Sequence, residues 1–94
     1  MENYNFNFEC IVVKEPNGYS AICLDVGVAS DADSSEDAKT NLKEAVELYL
    51  EDTIESNLPI LRPIPMDENP LDIQAKDIVE RFYMKVKLDL SIYV

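Results

Sequence analysis

The spacing of the apolar residues changes twice along this 94-residue chain, and this change constrains the fold more than any other feature. Apolar and polar residues alternate through 4–15 and again through 82–94, as they do in a half-buried strand. We therefore predict an α+β fold of one domain, residues 1–94, with one main helix packed on one face of a small antiparallel sheet. The helix is indicated by apolar residues that recur every three or four positions: Ala38, Leu42, Ala45, Val46, Tyr49 and Leu50.

Three strands are predicted before the helix. The first covers 4–15, the second covers 19–24, and a short third strand lies within 26–32. Asn17-Gly18 is the strongest hairpin signal, because both residues tolerate the positive φ angles of a two-residue hairpin turn.

Both cysteines of the chain fall within this hairpin. With Asn17-Gly18 as the loop, Val12 lies opposite Cys23, and Cys10 lies diagonal to Cys23 on the same face. Two cysteines in a chain without histidine match no metal or redox motif. We interpret both as reduced thiols buried in the core.

The helix has a clear start and a clear end. Ser34 is the predicted N-cap, with Asp37 at the capping-box position, and Pro59 ends the helix after about residue 56 or 57. Four prolines follow within 59–70, so we predict an ordered, extended strap there. Residues 71–80 fit helix, strand and loop equally well.

The C-terminal strand, predicted over 82–94, shows the clearest alternation in the chain. One face is apolar from Phe82 to Ile92. An exposed edge of that length invites pairing with another chain, so we predict a homo-oligomer, most simply a two-fold dimer. Its predicted interface residues come from the other face of the strand: Tyr83, Lys85, Lys87 and Tyr93.

Nineteen acidic residues against eight basic ones give the chain a formal net charge of −11. This charge repels phosphate backbones and anionic lipid surfaces, so we predict no direct binding to nucleic acid or membranes. It favours a basic protein partner, because opposite charges speed encounter. The sequence shows neither an apolar run of membrane-spanning length nor a signal peptide, so we expect a cytoplasmic protein.

The residues that usually carry catalysis are missing or isolated. The chain has no histidine, the commonest general base near neutral pH. Gly18 and Gly27 stand alone and form no phosphate-binding loop, and no serine or cysteine has a base in a recognisable motif. The acids of 31–37 complement the positive end of the helix dipole rather than match a calcium loop. We predict a protein that is not an enzyme and holds no cofactor or metal.

One face of the predicted helix is acidic. At about 100° per residue, the side opposite the apolar stripe carries Glu44, Glu47, Glu51 and Glu55. Like charges four residues apart destabilise a helix slightly, and Lys43 can pair with Glu47 to offset part of this. Two interpretations stay open: a solvated face that keeps the protein soluble, or a docking strip for a basic partner.

Three blocks of this sequence follow one another in a fixed order: a Gly-Tyr hairpin at 18–21, a bend at 24–30, and a capped helix with Asn-Leu-Lys-Glu-Ala at 41–45 and Leu-Tyr-Leu at 48–50. Together these blocks resemble the HicB-like antitoxin domain. The resemblance covers residues 6–60 and depends on the order and spacing of these blocks. It implies a small sheet with one helix, oligomerisation, and a small basic toxin as partner, the mRNA interferase HicA.

The chain departs from the family pattern in three places. Leu24 and Val26 stand where the bend has prolines, the strap at 59–70 is longer, and no DNA-binding element follows the last strand. We therefore expect an antitoxin-type binding module that does not itself bind DNA. The alternative is a stand-alone oligomeric domain of the same fold that binds a small ligand.

Overall fold

The computed structural model describes residues 3–65, 69 and 75–89. In chain order the elements are β1 (Asn3–Glu15), β2 (Gly18–Cys23), β3 (Val28–Ala32), α1 (Ser35–Glu55), a 3₁₀ turn (Ala75–Asp77) and β4 (Ile78–Asp89). The four strands form one antiparallel sheet in the order β3-β2-β1-β4. This sheet and its one main helix confirm the predicted α+β class and the order strand-strand-strand-helix-strand. Within the described residues, α1 is not apolar enough to cross a lipid bilayer.

The main core lies between α1 and one face of the sheet. The predicted helix stripe is buried there at Ala38, Leu42, Val46 and Leu50, while Ala45 and Tyr49 are only partly buried at its margin. Alternate residues of the strands meet this stripe, because side chains along a strand point to opposite faces in turn: Phe8, Cys10, Val12, Ala21, Cys23, Met84 and Val86.

The first hairpin has a different register from the one predicted. Cys10 pairs directly with Cys23, so the two-residue loop is Pro16-Asn17 and the prediction is wrong by one loop position. The proline ring locks φ near −65°, which suits the first position of an ordinary turn, and Asn17 does not adopt a positive φ. Both thiols keep the predicted face, because moving the loop by one position shifts the pairing by two residues.

β4 begins at Ile78, four residues before the predicted start at 82. The pairing with β1 shifts between Val12 and Val13, which pair with Glu80 and Ile78, so Val79 is an extra residue in the ladder. This bulge interrupts the alternation that would have revealed the early start. Residues 90–94 of the predicted strand lie outside the described residues.

α1 is capped at both ends by different means. Ser34 is the N-cap as predicted, and its Oγ accepts the Asp37 N–H at 3.1 Å. At the other end, the N–H groups of Asn57 and Leu58 donate to Ile54 O at 3.1 Å and Thr53 O at 2.9 Å. With Asn57 at φ 57°, these bonds form a Schellman motif, so the backbone closes the helix before Pro59 is reached.

The strap passes around the end of the sheet from the helix side to the opposite face. Ile60 packs against the main core, whereas Ile64 packs against a second buried cluster formed by Ile11, Val13 and Leu24. The Arg62 N–H donates to Asp25 O at 2.9 Å. Residues 59–65 of the strap are therefore tied to the turn between β2 and β3, and its residues 66–68 and 70 lie outside the described part of the chain.

Candidate functional site

The acidic residues predicted on the helix lie on the side of α1 that faces away from the sheet. Glu44, Glu51 and Glu55 are exposed, and Glu47 is half-buried. None of the four forms an ion pair with another described residue. Lys43, which can pair with Glu47 by its spacing, forms no ion pair with it among the described residues, because an exposed pair gains too little to hold two long side chains in one geometry.

A leucine lies in the middle of these acids. Leu48 is 61% exposed, and the helical period places it in line with Glu44 and Glu51. Sequence reasoning missed it, although its angle on the helix was a signal available from the sequence alone. We refer to Glu44, Glu47, Leu48, Glu51 and Glu55 together as the acidic face of α1.

The acidic face continues into the end of the helix where carboxylates are unfavourable. Glu51, Asp52 and Glu55 approach the C-terminus, and the last turn holds no basic residue. A charge at the unfavourable end of a helix dipole costs about 0.3–1 kcal/mol. Glu36 and Asp37 in the first turn are placed favourably, as predicted. The stability of α1 alone therefore does not explain the acids at its C-terminal end.

α1 is also joined to β4 by an ion pair that the sequence did not reveal. Lys39 Nζ lies 2.9 Å from Glu80 Oε2 and 3.1 Å from Glu36 Oε1. Glu80 and then Glu36 raise the pKa of Lys39, because both carboxylates favour its charged form. The same ammonium group lies 5.7 Å from the centre of the Phe82 ring.

The residues predicted to form an oligomer interface lie on the face of β4 that points away from α1. Tyr83 is 67% exposed, and Lys85 and Lys87 are exposed beside it. Arg81 shares this face, with its guanidinium 3.2 Å from a Glu9 carboxylate oxygen. Tyr93 lies outside the described residues, and the dimer itself stays a prediction.

A hollow of about 600 Å³ lies between the end of α1 and the strap. The Tyr49 hydroxyl donates to Ile60 O at 3.0 Å, and the Arg62 guanidinium stacks over the Tyr49 ring at 5.3 Å. Leu58 and Leu61 are exposed on its rim. This hollow is the feature to which the alternative prediction of small-ligand binding applies.

The nucleophilic side chains nearest the core have structural partners. Ser20 donates its hydroxyl to Asp31 on the neighbouring strand, a pair that lacks the imidazole of a serine–histidine–aspartate triad. Cys10 and Cys23 are free thiols with no exposed surface, as predicted. The Cys23 thiol and burial raise the pKa of the Cys10 thiol, and the burial of both side chains keeps them out of reach of a substrate. Within the described segments, no three potential metal ligands converge.

No protein-family model, curated protein or solved structure matches this chain. The fold and the surfaces therefore define its class as a small α+β domain with an acidic helix face and a basic edge strand. The HicB-like assignment stays a prediction that depends on the sequence blocks described above.

Proposed function

We propose that this chain is a HicB-like binding module, not an enzyme, and that it sequesters a small basic protein through the acidic face of α1. The observation that carries the proposal is the exposed Leu48 surrounded by carboxylates without ion-pair partners in the described part of the chain. The acids near the helix C-terminus disfavour the isolated helix, so a bound partner is the simplest source of compensation.

The two kinds of residue on this face have separate tasks in such a complex. The carboxylates attract a basic surface from a distance, and their spacing along the helix sets the orientation of the encounter. Leu48 supplies the apolar contact, since burying a leucine side chain contributes about 1.5–3 kcal/mol. A fitting partner presents lysine or arginine side chains around an apolar pocket. A HicA-like mRNA interferase, the partner that the resemblance implies, is small and basic.

The absence of histidine from the whole chain supports a non-enzymatic role. Ser20 and Asp31 are bonded to each other without a base that would activate the hydroxyl. Cys10 and Cys23 are both buried with no exposed surface, so neither thiol can reach a substrate.

The first test is whether a short basic reading frame lies beside this gene. If it does, the association and dissociation rates of its protein product with this chain are measured. We expect Glu51→Lys to slow association by about tenfold at low salt. We expect Leu48→Ser to speed dissociation by about tenfold or more, because it removes the apolar contact. Asp33→Lys is the matched control, since it makes the same charge reversal at an exposed residue away from this face. Rates that are unchanged in both face variants would refute the proposal.

A further inference from the structure

We propose that the outer edge of β4 is a second binding site, which takes up an extended segment of alternating acidic and apolar residues as an added strand. This site lies apart from the acidic face of α1 and attracts the opposite charge. It does not depend on the proposed sequestration of a basic protein.

The backbone of β4 has hydrogen-bonding groups directed away from the sheet. The Leu24 N–H donates to Glu9 O, so odd-numbered residues of β1 point their backbone groups at β2 and even-numbered ones at β4. Cys10 pairs with Phe82 and Phe8 with Met84, so the even residues of β4 bond to β1. The odd residues 81, 83, 85 and 87 therefore direct their N–H and C=O groups outward. No other strand of the described residues pairs with this edge.

The edge is basic in a protein that is otherwise strongly acidic. Five of the eight basic residues lie on β4 or beside it on α1: Lys39, Lys43, Arg81, Lys85 and Lys87. Lys39 and Arg81 already form ion pairs with carboxylates of the same chain. Lys43, Lys85 and Lys87 form no ion pair with any described residue. These three charges are available to a partner, and they select an acidic one.

A groove between α1 and β4 provides room for side chains of the added strand. The groove measures about 340 Å³ and is lined by Phe82, Met84 and Thr40 together with the charged residues Glu36, Lys39, Lys43 and Lys85. Side chains along an added strand alternate between the two faces of the sheet. Those on the helix side meet the groove beside Phe82, and those on the other side lie beside Lys85 and Lys87. The partner that fits therefore has apolar residues alternating with acidic ones.

The dimer predicted from the sequence would use the same strand, but a second copy of this chain is a poorer occupant of this edge than an acidic strand. Two β4 strands paired antiparallel about their middle would place Arg81, Lys85 and Lys87 of each copy on one shared face. Like charges on opposing strands destabilise the pairing. The lysines thus protect the edge from self-pairing, and an acidic strand satisfies both the backbone groups and the charges.

The experiment uses the whole chain labelled with ¹⁵N and two synthetic peptides, one alternating Glu and Val and the other alternating Lys and Val. We expect the Glu–Val peptide to shift the amide signals of residues 81, 83, 85 and 87 and to slow their hydrogen exchange. We expect the double variant Lys85→Gln, Lys87→Gln to bind the Glu–Val peptide about tenfold more weakly, because two ion pairs are lost. The Lys–Val peptide is expected to leave these signals in place.

A matched pair of variants separates the backbone from the side chain. Proline is tolerated on an edge strand where its nitrogen faces solvent, so Tyr83→Pro should keep the fold but lose the peptide. Tyr83→Ala keeps the backbone N–H and should still bind the Glu–Val peptide. If Tyr83→Pro unfolds the chain, the lysine variants decide the question alone.

Three results would overturn the proposal: equal binding of both peptides, signal changes confined to other residues, or a doubling of molecular mass that Tyr83→Pro abolishes. The last result would assign the edge to a second copy. Glu51→Lys is expected to leave peptide binding unchanged, so failure of the helix proposal and failure of this one are distinguishable.

Discussion

At the scale of single residues, the backbone around both glycines restricts what can replace them, and it does so more strongly at Gly18 than at Gly27. A Cβ on Gly18, at φ 153°, would lie 2.5 Å from the Ala32 carbonyl oxygen. A Cβ on Gly27, at φ 72°, would lie 3.3 Å from the Arg62 carbonyl oxygen. At Gly18 both the backbone conformation and the close contact exclude a side chain. Gly27 has a left-handed conformation that asparagine also adopts.

We predict that Gly18→Ala destabilises the protein by about 1–3 kcal/mol, because it forces a strained backbone against a neighbouring strand. Gly27→Asn is the comparison variant and should cost less. The free energy of unfolding, measured in urea for both, checks the order. If both variants lose the same free energy of unfolding, the contact of Gly27 with the strap restricts substitution as strongly as the contact of Gly18 with β3.

At the scale of elements, α1 combines well-formed caps with an unfavourable charge distribution. Ser34 and the Schellman motif satisfy backbone groups at its two ends. Glu51 and Glu55 lie towards the negative end of its dipole. An element built for stability alone would carry lysine or arginine there.

We predict that Glu55→Gln stabilises the protein by about 0.3–1 kcal/mol at low salt, because it removes a charge from the wrong end of the helix dipole. The midpoint of urea unfolding measures this. Asp37→Asn removes the same charge from the N-terminal end of the helix, so it should lower the stability of the protein instead of raising it. A loss of stability in Glu55→Gln would mean that the carboxylate has a favourable role within the folded chain.

At the scale of the whole molecule, the charge of −11 is compensated by few internal contacts. The described residues hold three ion pairs, formed by Lys39 with Glu36 and Glu80 and by Arg81 with Glu9. The remaining carboxylates repel one another across a small surface, and dissolved salt screens that repulsion. The same separation of charge leaves an acidic helix face and a basic strand edge on one domain.

We predict that the melting temperature rises by about 2–5 °C between roughly 20 mM and 0.5 M sodium chloride, because screening relieves self-repulsion. Scanning calorimetry or circular dichroism measures it. Replacing Glu44, Glu47, Glu51 and Glu55 by glutamine should reduce the rise. A melting temperature that falls with salt would show that ion pairs outweigh repulsion in the folded chain.

Features that depend on neighbouring residues could be predicted from the amino-acid sequence. The order of the elements, the Ser34 cap and the buried stripe of α1 follow from periods of two and 3.6 residues and from local capping chemistry. The face on which each cysteine lies also follows from the period of a strand. The exposed position of the acidic helix face is the part of the candidate site that could be predicted in this way.

Features that depend on distant partners could not be predicted, because the contacts that set them form only in the folded chain. The hairpin register was set by Pro16 and by the close approach of Gly18 to β3, which no two-residue motif encodes. The early start of β4 and its bulge depend on β1, which lies more than sixty residues away in sequence. The outer edge of β4, which no other described strand pairs with, follows from the pairing of its inner edge with β1. Strand pairing joins segments that are remote along the chain, so local periodicity predicts a strand's faces but not its neighbours.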